Sequence, residues 1–137
     1  MEVTVQPKLM FHGVDFVNIK LDTVKQYDNR AEIDLNVKPK VFYPENEPNL
    51  FRIFMEISII CEGYFEMNLV GIGNFEFDNG DLKKTFVNTN APAIMFPYVR
   101  SFITTLTSNL GDVTGSLVIP TQFFQGDLPE FTTENKE

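Results

Sequence analysis

Residues 51–69, FRIFMEISIICEGYFEMNL, decide the fold. Phe51, Ile53, Met55, Ile57, Ile59 and Cys61 take every second position, with Arg52, Phe54, Glu56, Ser58, Ile60 and Glu62 between them. A period of two places one set on a buried face and the other on the opposite face of a strand. Phe54 and Ile60 keep the second face from being purely solvated. Gly63 marks a bulge or sharp bend, after which Phe65, Met67 and Leu69 resume the alternation against Glu66 and Asn68. Beyond it, Gly71-Ile72-Gly73 precedes Phe75-Glu76-Phe77, and Asp78-Asn79-Gly80-Asp81 reads as a turn.

The same period extends upstream. Ala31, Ile33, Leu35, Val37, Val41 and Tyr43 alternate with Glu32, Asp34, Asn36, Lys38, Lys40 and Phe42. Pro39 lacks the N–H that a central strand needs, so this strand is expected at a sheet edge or bulged there. A turn follows through Pro44 and Pro48. Near the N-terminus, Val17, Ile19 and Leu21 are out of phase with His12, Val14 and Phe16. That switch predicts a long strand from Leu9 to Leu21 with a bulge near Phe16-Val17.

The period then changes to helical. Ile94, Tyr98, Phe102, Leu106 and Leu110 recur at every fourth position, with Met95, Val99 and Ile103 in the neighbouring row. Arg100, Ser101, Thr104, Thr105 and Ser108 take the other side, and Gly111 is a natural end signal. Pro97 fits only near a helix start, so the regular helix is expected from there, with Ala91 to Phe96 as an irregular lead-in. Leu117-Val118-Ile119-Pro120 is a short extended piece, and Gln122-Phe123-Phe124 carries paired aromatics. One domain over residues 1–126 and an acidic, frayed tail over 127–137 are expected.

Composition bounds the function. With 14 Phe, 4 Tyr and no Trp, the aromatic content serves either core or sticky surface. A net charge of −8 argues against nucleic acid as a partner, since phosphate binding rests on Lys and Arg. No apolar run reaches membrane-span length, so membrane insertion is not expected. The N-terminal residues lack a signal-peptide pattern, and the single cysteine forms no intrachain disulfide. A cytoplasmic protein is expected.

No catalytic constellation stands out. His12 is the only histidine, and Cys61 sits on the apolar phase of its strand, so no nucleophile–base pair or zinc cluster is evident. Asp78, Asn79 and Asp81 lack the bidentate Glu of a calcium loop. Gly71-Ile72-Gly73 is too short for a phosphate loop. Neither an enzyme, a metal nor a cofactor is expected. A small-molecule-binding α+β domain stays open as an alternative.

The segment Ala91-Pro92-Ala93-Ile94-Met95-Phe96-Pro97-Tyr98-Val99-Arg100 resembles the Pro-x-Ile-Leu-Phe-Pro-Tyr-x-Arg signature of the SecB family of protein-export chaperones. Gly63-Tyr64-Phe65 resembles that family's Gly-x-Phe, and Leu117 to Phe124 stands where its Pro-containing extended segment lies. The resemblance covers residues 9–124. It implies an α+β fold, a four-stranded antiparallel sheet with a long C-terminal helix packed on one face. It also implies an ATP-independent holdase that binds unfolded preproteins and passes them to the SecA motor. A homotetramer, a dimer of dimers, is implied, with Ile94, Tyr98, Phe102 and Leu106 partly at the interface. Aromatics off the main apolar phase or beside turns are the expected client contacts: Phe42, Tyr43, Phe54, Tyr64, Phe123 and Phe124. The family's third-strand glutamate falls at Ser58 here, leaving Glu56 and Glu62 as the SecA-docking candidates. The family's acidic first-strand stretch has only Val14-Asp15-Phe16 as a counterpart. The family's second helix is broken here by Gly126 and Pro129. A relative specialised for one partner, such as an antitoxin, is the alternative role.

Overall fold

The computed structural model describes residues 8–25, 31–78, 82–121, 124 and 126–130. The alternating segments form β1 (Leu9–Thr23), β2 (Asp34–Phe42), β3 (Leu50–Cys61) and β4 (Phe65–Phe77). They assemble as one antiparallel sheet in the order β1-β4-β3-β2. A helical stretch follows: α1 (Lys83–Thr85), a π-helical turn over Phe86–Asn90, and α2 (Ala91–Ser108), which packs on one face. The fold is the α+β architecture expected from the sequence.

The period-two pattern is the cause of the core. Phe51, Ile53, Met55, Ile59 and Cys61 on β3, and Met67 on β4, have no exposed surface. Each fully buried side chain of this kind contributes roughly 1.5–3 kcal/mol relative to exposure. Gly63 is the sharp bend of the β3–β4 hairpin. Its φ of +85° is accessible at low cost only to glycine. The Gly71-Ile72-Gly73 step lies within β4 rather than between strands, with Gly71 beside Met55 and Gly73 beside Ile53.

Those two glycines seat the helix. A Cβ at Gly73 would stand 2.8 Å from Met95 Sδ and 2.8 Å from the Phe75 ring. At Gly71 it would meet Val99 and Phe16 at 3.5 Å, an ordinary contact. The row Ala91, Met95, Val99, Ile103 and Thr107 is fully buried against the sheet. The neighbouring row leans over β1. Phe102 stacks on Phe16 at 4.1 Å between ring centroids, and Tyr98 lies 4.9 Å from Phe11.

The helix start differs from expectation. α2 is regular from Ala91, and Pro97 sits inside it. Proline removes the bond to the carbonyl four residues earlier, here that of Ala93. Both residues lie on the exposed side, where water can take up the freed carbonyl. Pro92 has the same incompatibility with the carbonyl of Asn88, and the wider π-helical turn falls there.

β1 carries two irregularities, between Phe11 and Val14 and between Val17 and Lys20. They flank the expected bulge position. Gly13 and Asn18 occupy them with φ of +106° and +55°. β2 is an edge strand, as Pro39 requires.

Gly73→Ala is expected to destabilise the fold by about 1–3 kcal/mol through overpacking against Met95. Gly71→Ala is expected to cost less than about 1.5 kcal/mol. Urea denaturation of the two variants checks the difference.

Candidate functional site

After α2 the chain doubles back as an extended strap. Its backbone is held by polar side chains of the helix. Arg100 Nε donates to the Ile119 carbonyl at 2.7 Å, and Thr104 Oγ1 donates to the Leu117 carbonyl at 2.8 Å. Thr107 is fully buried; its hydroxyl donates to the Ile103 carbonyl and accepts the Leu117 N–H at 2.9 Å. The Ser108 and Ser116 hydroxyls pair at 2.7 Å. Lower down, the Phe124 ring stands edge-on to Phe96 at 5.5 Å.

The strap therefore runs antiparallel to α2 and alongside β2. Among the described residues it bonds to β2 at one end. Val41 N–H donates to the Pro129 carbonyl at 2.9 Å, and Glu130 bridges Val41 in parallel. The Asn88 side chain fixes this end by accepting the Leu128 N–H and donating to Asp127. The first residues of the acidic segment, Asp127–Glu130, thus lie against the domain.

Toward the start of β2 the strap and the sheet edge separate. The space between them is a groove of about 360 Å³. Ile33 and Leu35 form one wall, and Thr114 to Pro120 the other. Strand-like alternation in the strap turns Leu117 and Ile119 into the core, at 6% and 4% exposure, and leaves Val118 76% exposed. A second concavity, about 450 Å³, lies on the outer sheet face. It is rimmed by Asn18, Asn36, Lys38, Glu56, Ser58 and Asn68. Its rim offers amides and charges, whereas the strap groove offers apolar walls. Only the latter suits a disordered apolar segment.

The expected contact residues are dispersed. Phe42 and Phe54 meet on the outer face, with ring centroids 6.2 Å apart, and Phe42 is only 8% exposed. Tyr43 lies by the helix start, with Lys83 Nζ 4.2 Å above its ring. Burial, then the negative charge of Glu130, raises the pKa of its hydroxyl above the ordinary tyrosine value. Tyr64 is at the far end, in the β3–β4 turn, with Lys25 over its ring. Phe124 belongs to the strap, and Phe123 lies outside the described residues. Glu56 pairs with Lys40 at 3.3 Å on the outer face, and Glu62 is exposed in the hairpin turn. Of the helix row, Tyr98 is 53% and Ile94 36% exposed, with Phe102 and Leu106 half-buried.

The residues that build the groove were read otherwise from the sequence. Arg100, Thr104 and Ser108, which hold the strap, appeared only as the side of the helix opposite its apolar stripe. Their spacing of four, opposite the alternation of Leu117 to Pro120, is the signal that pairs them with a strap. Asp78 accepts the Lys8 N–H at 2.7 Å; its turn neighbours Asn79 and Asp81 lie outside the described residues. Cys61 is buried, as its strand phase requires. No helix among the described residues is long and apolar enough to cross a membrane.

The fold and the groove together define an α+β domain with a strapped, partly open sheet edge. The SecB-like chaperone of Mycobacterium tuberculosis, solved with a peptide from an antitoxin, has this fold. It superposes with a TM-score of 0.68 over 83% of this chain and 90% of that one, at 12% identity. At that identity the likeness is one of fold. An uncharacterized protein of Methanocaldococcus jannaschii is 30% identical in an alignment 103 positions long that covers 70% of this chain and 66% of that protein, just under two thirds of its length. No protein-family model matches the chain.

Thr107→Val keeps the shape but removes the acceptor for the buried Leu117 N–H. A loss of about 1–3 kcal/mol is expected. Faster hydrogen exchange at Leu117 should accompany it.

Proposed function

We propose that this chain is an ATP-independent chaperone that holds nonnative polypeptide in the groove between β2 and the strap. The observation carrying this reading is the apolar concavity lined by Ile33, Leu35 and the strap around Leu117 to Pro120. It is open at the sheet edge, so it admits a chain rather than enclosing a small molecule. Binding of this kind needs adaptable apolar surface and no catalytic geometry. A net charge of −8 keeps such a surface soluble. The shared fold with a chaperone solved around an antitoxin peptide supports the same reading.

Two roles fit a holdase. One is delivery of preproteins to the SecA motor from the cytoplasm, with Glu56 and Glu62 as docking residues. The other is service to one partner such as an antitoxin. The second is favoured by two observations. Lys40 pairs with Glu56, and Ser58 stands beside Asn36 and Asn68 in an uncharged row across the outer face. In either role, Ile94 and Tyr98, with Phe102 and Leu106 beside them, form the contact surface of a homotetramer. Phe124 contributes to client binding through the strap, and the exposed edges of Tyr43 and Tyr64 extend the contact beyond the groove. Phe42 and Phe54 would serve a partner on the outer face.

Substoichiometric protein is expected to slow aggregation of a chemically unfolded client without ATP, measured by light scattering. Val118→Asp should weaken client binding about tenfold, by adding a charge to an apolar wall, with little change in folding stability. Unimpaired binding by that variant places the clients elsewhere.

A further inference from the structure

The groove has main-chain as well as side-chain character. In β2, hydrogen bonding alternates sides along the strand. Val41 directs its N–H away from β3, since that group reaches Pro129. Leu35, Val37 and Pro39 share its phase, so Leu35 and Val37 present their N–H and C=O groups to the free edge. Among the described residues no backbone group pairs with them. Pro39 has no N–H to present. It separates the stretch filled by the chain's own Pro129-Glu130 from the stretch that is open.

The open stretch coincides with the groove. Leu35 belongs both to the unpaired edge and to the apolar wall facing Thr114 to Pro120. Among the described residues the strap makes no backbone hydrogen bond to this edge. Its backbone carbonyls at Leu117 and Ile119 and its Leu117 N–H are committed to Arg100, Thr104 and Thr107. An apolar wall and an unsatisfied strand edge therefore face the same space. One occupant satisfies both, an extended polypeptide segment with apolar residues at alternate positions.

We infer that clients bind by strand addition, extending the sheet beyond β2 along residues 33–37, with Pro39 as the stop. The precedent is within the molecule, where residues 129–130 already make one such pairing at Val41. At 3.3 Å per residue the open edge is about 13 Å long, room for about five client residues. Main-chain bonds give affinity without sequence choice, and the apolar wall selects alternate apolar side chains. The inference rests on the chaperone reading and specifies how that site holds its client.

The test uses the full chain and a peptide of about eight residues with alternating Val and Ser, the length such an edge requires with overhang. Two further versions are N-methylated, one at the Val positions and one at the Ser positions. Strand addition uses the amides on one side of the peptide only. One methylated peptide is therefore expected to bind at least about tenfold more weakly than the parent, while the other binds like the parent. Which of them fails reports the strand direction. Equal affinity of the two methylated peptides, high or low, overturns strand addition, while binding of the parent leaves the chaperone reading intact. Failure of the parent and of unfolded clients alike overturns both. Val37→Pro removes an edge donor without touching the β3 pairing, and should weaken the parent peptide by about tenfold. Unchanged parent binding by that variant, with thermal unfolding like wild type, also counts against the inference.

Discussion

The contact of Met95 with the side-chain-free surface at Gly73 sets the position of everything beyond the sheet. A sheet face built only of Phe, Ile and Met would hold a helix further away. Gly71 and Gly73 remove two side chains from the middle of β4 and let α2 settle against the backbone. With the helix at that height, its polar edge stands level with the strap. Arg100, Thr104 and Thr107 can then bond the strap's backbone directly. The strap's height fixes the gap to β2, and that gap is the groove. Packing in the core and geometry at the site are thus one chain of contacts.

The sheet and the helix were legible because each follows a single period. Phe51 to Cys61 alternate without a break, and burial follows the alternation residue by residue. Pro39 correctly marked an edge strand. The helix start was misread because Pro97 was treated as a boundary. In the fold it is an exposed interior residue whose lost bond costs little. The glycine pair was read as a step before Phe75 and as too short for a phosphate loop, since nothing local says which helix will lie across it.

The site was less legible for a physical reason. It is made by two segments, residues 33–35 and 114–120, that become neighbours only through the helix. Aromatic residues drew the reading of client contacts, yet Phe42 is largely buried against Phe54 and Arg52. The groove instead uses aliphatic side chains in an extended segment. Arg100 illustrates the same gap. It closes the helix motif that resembles the SecB signature, and its task is to hold the Ile119 carbonyl, a partner 19 residues away.

The central claim is that nonnative polypeptide enters the strap groove and not the outer sheet face. Methyl-labelled protein titrated with a reduced, unfolded client tests it directly. The account predicts that the methyl resonances of Ile33, Leu35 and Val118 shift or broaden first, while those of Val70 and Ile72 on the outer face stay in place. Perturbation confined to Val70, Ile72 and their neighbours on the outer face, with the groove methyls unmoved, would contradict it.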